Sequence, residues 1–366
     1  MRKGRYGRPV IGVVAGWRAY AGTMDSFLGE VFDGIRKAAL DVGCDLLLAC
    51  GVESPGRSSA HGWPIVAAGF DFLPVGPWNT DGLIAVPPLS SPAMSQYCQD
   101  LMAQGHPVVF AGPGESGPAV MVDNEGGIHK ALRHLVEHGH RRIACIAGNE
   151  RPPLSDSARR LAAYKSGLQE LGLPYEPGLI AYGLRNQAGG REAMQRLLGT
   201  GLPFTAVLAP NDVAAQGVVD ALSNVGLMVP EDMAVIGFDD RLEARTLVPP
   251  LTTVRHPMFE MGYRAVQLLL KYIEGTAQGV ETVVIPTQLV IRESCGCLPG
   301  ARLIGFSQPM PGQSTVTPTQ SAGKAPPRPE QEVVDAISAA VSAERGRGCP
   351  VVPAVDCRAA HEPGKG

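Results

Sequence analysis

The 366-residue chain lacks several features that would set its class at once. It has no excess of positive charge: 32 Lys and Arg stand against 35 Asp and Glu, a net charge of -3. No global basic bias therefore marks it for nucleic acid, although a local patch stays open. No apolar run is long enough to cross a membrane. No G-x-S-x-G elbow, phosphate loop or H-E-x-x-H run is present, which sets aside a hydrolase on an α/β scaffold. The chain reads as a non-enzyme without a cofactor. Its start, MRKGRYGRPVIGVVAGW, is basic and then apolar, as a signal peptide is. However, Pro9 follows the charges, and Trp17, Arg18 and Tyr20 arrive before any small-residue cleavage site. A first buried strand and a cytoplasmic location are the expectation.

Paired cysteine spacing is also scarce. Most of the eight cysteines lie singly among apolar neighbours, as small core residues do. Cys295 and Cys297 form a C-x-C pair, but no His/Cys pair at zinc-site spacing sits nearby in the sequence. His134 and His138 fall at a helix end, where histidine commonly serves the terminal carbonyls. The sequence gives no expectation of a metal site.

What the chain has in quantity is glycine, 45 residues, and proline, 32 residues. At 45% hydrophobic it still holds enough apolar material for a sizeable core. Ten of the prolines fall in residues 299–366, beside Gly/Ser/Thr/Gln stretches. Residues 298–366 therefore read as a mostly disordered tail, with Glu330 to Arg345 patterned as a short amphipathic helix. Residues 1–8 read as a basic tag, and 9–297 as the folded unit.

Within 9–297, short β-branched runs alternate with helical patterns. VIGVVAG (10–16), DGLIAVPP (81–88), HPVVFAG (106–112), RRIACIAG (141–148), FTAVLAP (204–210) and MAVIGFDD (233–240) are strands. VVIPTQLVIRES (283–294) reads as one final strand. Continuous apolar strands separated by helices predict parallel sheets covered on both faces, divided into two α/β lobes. In such folds ligands bind outside the carboxyl ends of the strands. The residues found there are hydrogen-bonding and aromatic: Trp17, Arg18, Tyr20, Asp123, Asn124, Asn149, Glu150, Asn211, Asp212, Asp239 and Asp240. They do not form a nucleophile with its base.

Several motifs, in order and at matching spacing, resemble the lactose-repressor/galactose-repressor (LacI/GalR) family. These are DGLIAVPP, HPVVFAG, VDNEGGIHKALRHLVEHGHRRIACIAG (122–148), SARRLAAY (157–164), FTAVLAPNDVAAQGVVDAL (204–222), GLMVPEDMAVIGFDD (226–240), PPLTTVRHPMFEMGYRAV (249–266) and VIRES (290–294). The resemblance runs from about Pro9 to Ser294. It implies two Rossmann-like lobes of the type I periplasmic-binding-protein kind, joined by a three-crossover hinge. Lobe one would hold about 9–119 and 258–280, and lobe two about 122–255 and 283–294. It further implies a cleft that closes on a small polar effector, sugar or nucleoside-like, and a homodimer. Arg160, Asn211 and Asp239 take the family's ligand positions, with Asp212 and His256 secondary and Trp17 and Tyr20 as stacking surfaces.

Each of these residues also has a structural alternative. Asn211 or Asp212 could cap the following helix. Asp239 could bond local amides, Arg160 could form an ion pair, and His256 could be a satisfied hinge residue. Asp123 and Asn124 read as shaping the crossover. With the first strand near residue 9, no room is expected for the family's N-terminal helix-turn-helix, so DNA would be a partner only if that module came from elsewhere. A solute-binding protein of a sugar transport system, and a sensor module of a multidomain signalling protein, are the alternatives. The chain is expected to show no sequence-specific duplex binding whose affinity falls steeply with salt. An electrophoretic-shift titration finding tight operator binding at physiological salt would overturn that.

Overall fold

The computed structural model describes residues 7–15, 29–49, 75–87, 92–113, 117–148 and 155–297. The expectations for Trp17, Tyr20, Asn149, Glu150 and the 298–366 tail lie outside the described residues.

Two six-stranded sheets form the frame. The first has the order β11-β5-β4-β3-β1-β2, from β1 (Val10–Ala15), β2 (Asp45–Ala49), β3 (Gly82–Val86), β4 (Val108–Ala111), β5 (Ala119–Val122) and β11 (Thr282–Ile285). All its strand pairs are parallel. The second has the order β12-β10-β9-β8-β6-β7, from β6 (Ile143–Gly148), β7 (Ile180–Gly183), β8 (Ala206–Leu208), β9 (Ala234–Asp239), β10 (Thr252–Arg255) and β12 (Gln288–Val290). It is parallel except for the antiparallel pair of β10 with β12. Each sheet carries a buried apolar cluster on each face, as continuous apolar strands require.

The helices are α1 (Gly29–Val42), α2 (Pro92–Ala103), α3 (Asn124–Glu137), α4 (Asp156–Glu170), α5 (Gln187–Gly199), α6 (Asp212–Asn224), α7 (Leu242–Thr246) and α8 (Met258–Ile273). In lobe two, four begin on a side-chain cap. Asp123 accepts from Gly126 N, Ser155 from Ala158 N, Asn186 from Gly189 N and Asn211 from Ala214 N. Each cap satisfies one of the amides a helix start leaves open. Gly139, at φ 91, turns α3 back toward β6.

The chain passes between the sheets three times, at 122–124, 255–258 and 285–288. Two details differ from the sequence reading. The stretch 283–294 is two strands in different sheets, because Pro286 lacks a ladder donor and Thr287 is pinned at the break. Thr287 Oγ1 donates to Asp123 O at 3.0 Å, and Lys130 Nζ donates to Thr287 O at 2.6 Å. Lobe two therefore regains the chain at Gln288, not at residue 283. The sequence reading assigned no element to strand β10, TTVR, which has no apolar alternation. It is buried because its hydroxyls find internal partners, Thr252 on Cys295 and Thr253 on Asp212.

Each lobe also has one helix pair in glycine-to-backbone contact. A Cβ on Gly34 would meet Phe259 O at 1.9 Å, and one on Gly262 would meet Val31 O at 2.0 Å. In lobe two, Gly190 and Gly217 stand in the same relation to Ala214 O and Gln187 O. Gly262→Val should therefore lower the unfolding free energy by about 1–3 kcal/mol, read as a shifted urea midpoint. An unchanged midpoint would contradict this contact.

Candidate functional site

The carboxyl ends of the lobe-two strands bring Arg160, Asp239 and His256 together. Asp239 ends β9, and His256 follows β10 directly. Arg160 lies in the first half of α4, reaching the same edge from above. All three are buried, with Arg160 at 6%, Asp239 at 8% and His256 at 4% exposure. Such charged groups rarely lie inside without a partner.

Arg160 is held on four sides. Its Nε donates to Asn124 Oδ1 at 2.8 Å, and its Nη1 to Pro210 O at 2.7 Å. Its guanidinium sits 3.5 Å over the centroid of the Phe238 ring, a cation–π contact in a desolvated place. Its Nη2 is 3.5 Å from Asp239 Oδ1. Asn124 is fixed in turn, donating from Nδ2 to Asp156 Oδ1 at 2.8 Å.

Asp239 faces His256 Nδ1 at 3.7 Å on the same oxygen. That oxygen, Oδ1, is buried and takes no hydrogen bond among the described residues. Burial alone would push its carboxyl up. The His256 imidazole and the charges of Arg160 and Arg185 nonetheless hold it below the ordinary carboxylate value. The backbone there is strained, since Asp239 has φ 109 and the next residue, Asp240, φ 58.

Asp240 points to the scaffold. Its carboxylate accepts from Arg255 Nε at 2.7 Å and Arg292 Nη2 at 2.5 Å, with Arg245 at 3.9 Å. Asp212 does the same. Its Oδ1 accepts from Thr253 Oγ1 at 2.5 Å and its Oδ2 from Arg241 N at 2.7 Å, so both oxygens are taken by the fold. Asp212 thus also has a scaffold role at this edge, between β10 and the turn after β9. Asn211 caps α6 through Oδ1 and donates from Nδ2 to Arg185 O at 3.2 Å. Asn124 and Arg185 were the residues the sequence reading left out of the site. Arg185 stands two residues beyond β7, directly before the α5 cap Asn186, and that place after a strand was the available signal.

An open groove lined by Trp78, Asp81, Tyr97 and His106 lies elsewhere, at the amino ends of β3 and β4. By the rule for open α/β sheets it is at the wrong edge for the principal ligand. The carboxyl-edge cluster can offer a fixed guanidinium, an ionised carboxylate, an imidazole and an amide to a molecule with paired donors and acceptors.

Residues 132–295 match the family described as a periplasmic binding protein-like domain. The chain is similar to the HTH-type transcriptional repressor CytR of Escherichia coli, 39% identical over 182 residues, which are 50% of this chain and 53% of that protein. It thus spans about half the length of the curated relatives it matches. Among solved structures, the transcriptional regulator CelR–cellobiose complex has a TM-score of 0.64 at 27% identity, covering 78% of this chain and 85% of that one. A putative transcriptional regulator LacI from Bacillus cereus subsp. cytotoxis has a TM-score of 0.64 at 25% identity, covering 79% and 98%. The fold is the two-lobed periplasmic-binding-protein-like one seen in these regulators.

Burial raises the Asp212 carboxyl well above its ordinary value of 3.8, helped by the charge of Asp239 and opposed by Thr253 and Arg241. A folded-state value above the unfolded one contributes stability that is complete at low pH and lost as pH rises through the folded value. Asp212→Asn keeps the neutral shape. Relative to the parent it should gain stability between acid and neutral pH in urea titrations. Parallel pH profiles for the two proteins would refute this.

Proposed function

We propose that residues 9–297, built on a periplasmic binding protein-like domain, are the effector-sensing core of a LacI/GalR-type transcriptional regulator. The core acts in the cytoplasm as a homodimer. It closes on a small polar molecule, a sugar or nucleoside-like compound, between the lobes. The observation that carries this reading is the buried Asp239 Oδ1. It is an ionised acceptor without a hydrogen bond among the described residues, placed between Arg160 and His256 at the carboxyl edge of the sheet.

A vicinal diol or an amide–imide edge matches that arrangement. One hydroxyl or N–H donates to Asp239, and a neighbouring oxygen accepts from Arg160. The relative bound to cellobiose supports a hydroxyl-rich ligand. A buried ion pair adds little to stability by itself, so its persistence at this edge fits binding better than scaffolding. Asn124 and Phe238 hold the guanidinium flat. Asn211 and Asp212 hold the start of α6 and the turn after β9, and so shape the site. The three crossovers provide the hinge through which ligand contact in lobe two draws lobe one across.

A thermal-shift screen over sugars, nucleosides and amino acids tests the reading. A true ligand raises the melting temperature with the logarithm of its excess over Kd. Arg160→Ala and Asp239→Asn should each abolish that shift while melting stays cooperative. Full retention in both variants would overturn the site.

A further inference from the structure

Away from the cleft, four metal-ligand side chains meet where α3 ends. His134 and His138 stand one helical turn apart, four residues along, and so share a face. Cys295 and Cys297 come from the turn after β12. Gly296 between them has φ 89, in the left-handed region that side-chain-bearing residues rarely adopt, and its N–H donates to Glu293 O at 2.9 Å. That turn carries both sulfurs to the histidines. Cys295 Sγ is 3.2 Å from His134 Nε2. Cys297 Sγ is 3.6 Å from His134 Nε2 and 3.3 Å from His138 Nε2. The ligand atoms of His134, His138 and Cys297 all lie within 4.8 Å of one another, and Cys295 adjoins this trio through His134.

We propose that His134, His138, Cys295 and Cys297 form a tetrahedral Cys2His2 site for a thiophilic divalent cation of the zinc class. With metal–sulfur bonds of about 2.3 Å and metal–nitrogen bonds of about 2.0–2.1 Å, tetrahedral ligands stand about 3.5 Å apart. The three sulfur–nitrogen distances bracket that value. Two thiolates and two neutral imidazoles neutralise a dication, so the site can be buried without net charge. Each thiol releases its proton as it becomes a ligand. Softness and geometry together select zinc over magnesium or calcium.

His134 and Cys295 are buried, while Cys297 and His138 are half-buried, which leaves an entry path on that side. Thr252 Oγ1 donates to Cys295 Sγ at 3.1 Å, the outer-layer contact that orients a thiolate ligand. His140 stays outside the set, its Nδ1 on Thr205 Oγ1 at 2.8 Å. The metal would staple the end of α3 to the turn that follows β12. This assignment is independent of the effector reading.

The full-length chain, purified reduced and loaded with zinc, should retain one metal per chain after desalting. Cobalt(II) in its place should give a thiolate charge-transfer band and the intense visible bands of a tetrahedral centre. Cys297→Ser and His138→Gln should each weaken zinc binding by at least about a hundredfold, the upper end of what an outer-layer loss costs. Cys349→Ser/Cys357→Ser should leave it unchanged, and circular dichroism of all variants should show the parent fold. The proposal is overturned by any of three results. These are metal retention unaffected by Cys297→Ser and His138→Gln, loss of metal only in the Cys349/Cys357 variant, or folded protein whose thiols all count as free yet takes up no zinc.

Discussion

The end of β9 is the constraint on which the rest of lobe two depends. Two successive aspartates sit there in the left-handed region, at φ 109 and φ 58, where residues with side chains rarely stay. The strained turn sends the two carboxylates to different tasks. Asp239 meets Arg160 and His256 at the carboxyl edge. Asp240, its side chain almost wholly buried, gathers Arg255, Arg292 and Arg245. Those arginines come from β10, α7 and the segment after β12, so Asp240 ties together the elements that flank the second and third crossovers. A strained backbone persists only when its surroundings over-determine it, and here five charged or titratable partners do so.

The same edge shows how a buried polar network divides between support and use. Asp212 has both oxygens satisfied by Thr253 and Arg241, and Asn211 is spent on its cap and on Arg185. They are the first two residues of the motif NDVAAQG, and both are buried where α6 begins. Arg160 differs: three of its contacts fix its plane, and the fourth, at 3.5 Å to Asp239, is a loose ion pair rather than a hydrogen bond. The guanidinium thus has its orientation set while its carboxylate partner stands at a distance.

Much of this was legible in sequence because parallel strands buried on both faces are apolar throughout, and runs such as VIGVVA and GLIAV can be little else. Arg160 and Asp239 were legible through family motifs, and the alternative for Asn211, a helix cap, was legible from its place before DVAAQ. Strand β10 was hidden because Thr252 and Thr253 are polar and their burial depends on partners 40 or more residues away. The break at Pro286 was hidden inside a run that reads as continuous. Asn124 looked like crossover punctuation, and only the fold brings it to Arg160, 36 residues on. The His134–His138–Cys297 cluster was out of reach of spacing rules altogether, since its halves are separated by 159 and 163 residues.

The threading of the chain has a consequence for how the molecule is made. Strand β11 completes the first sheet at Ile285, and β12 completes the second from Gln288. Both sheets therefore wait for edge strands that leave the ribosome almost together, although their other ten strands emerged long before. Neither lobe can be finished first and act as a template for the other. Each holds an unpaired flank, along β5 in one and β10 in the other, until nearly 290 residues have been synthesised. A chain cut anywhere before that point loses an edge from lobe two, and a cut before residue 282 leaves two incomplete sheets rather than one intact domain and a fragment.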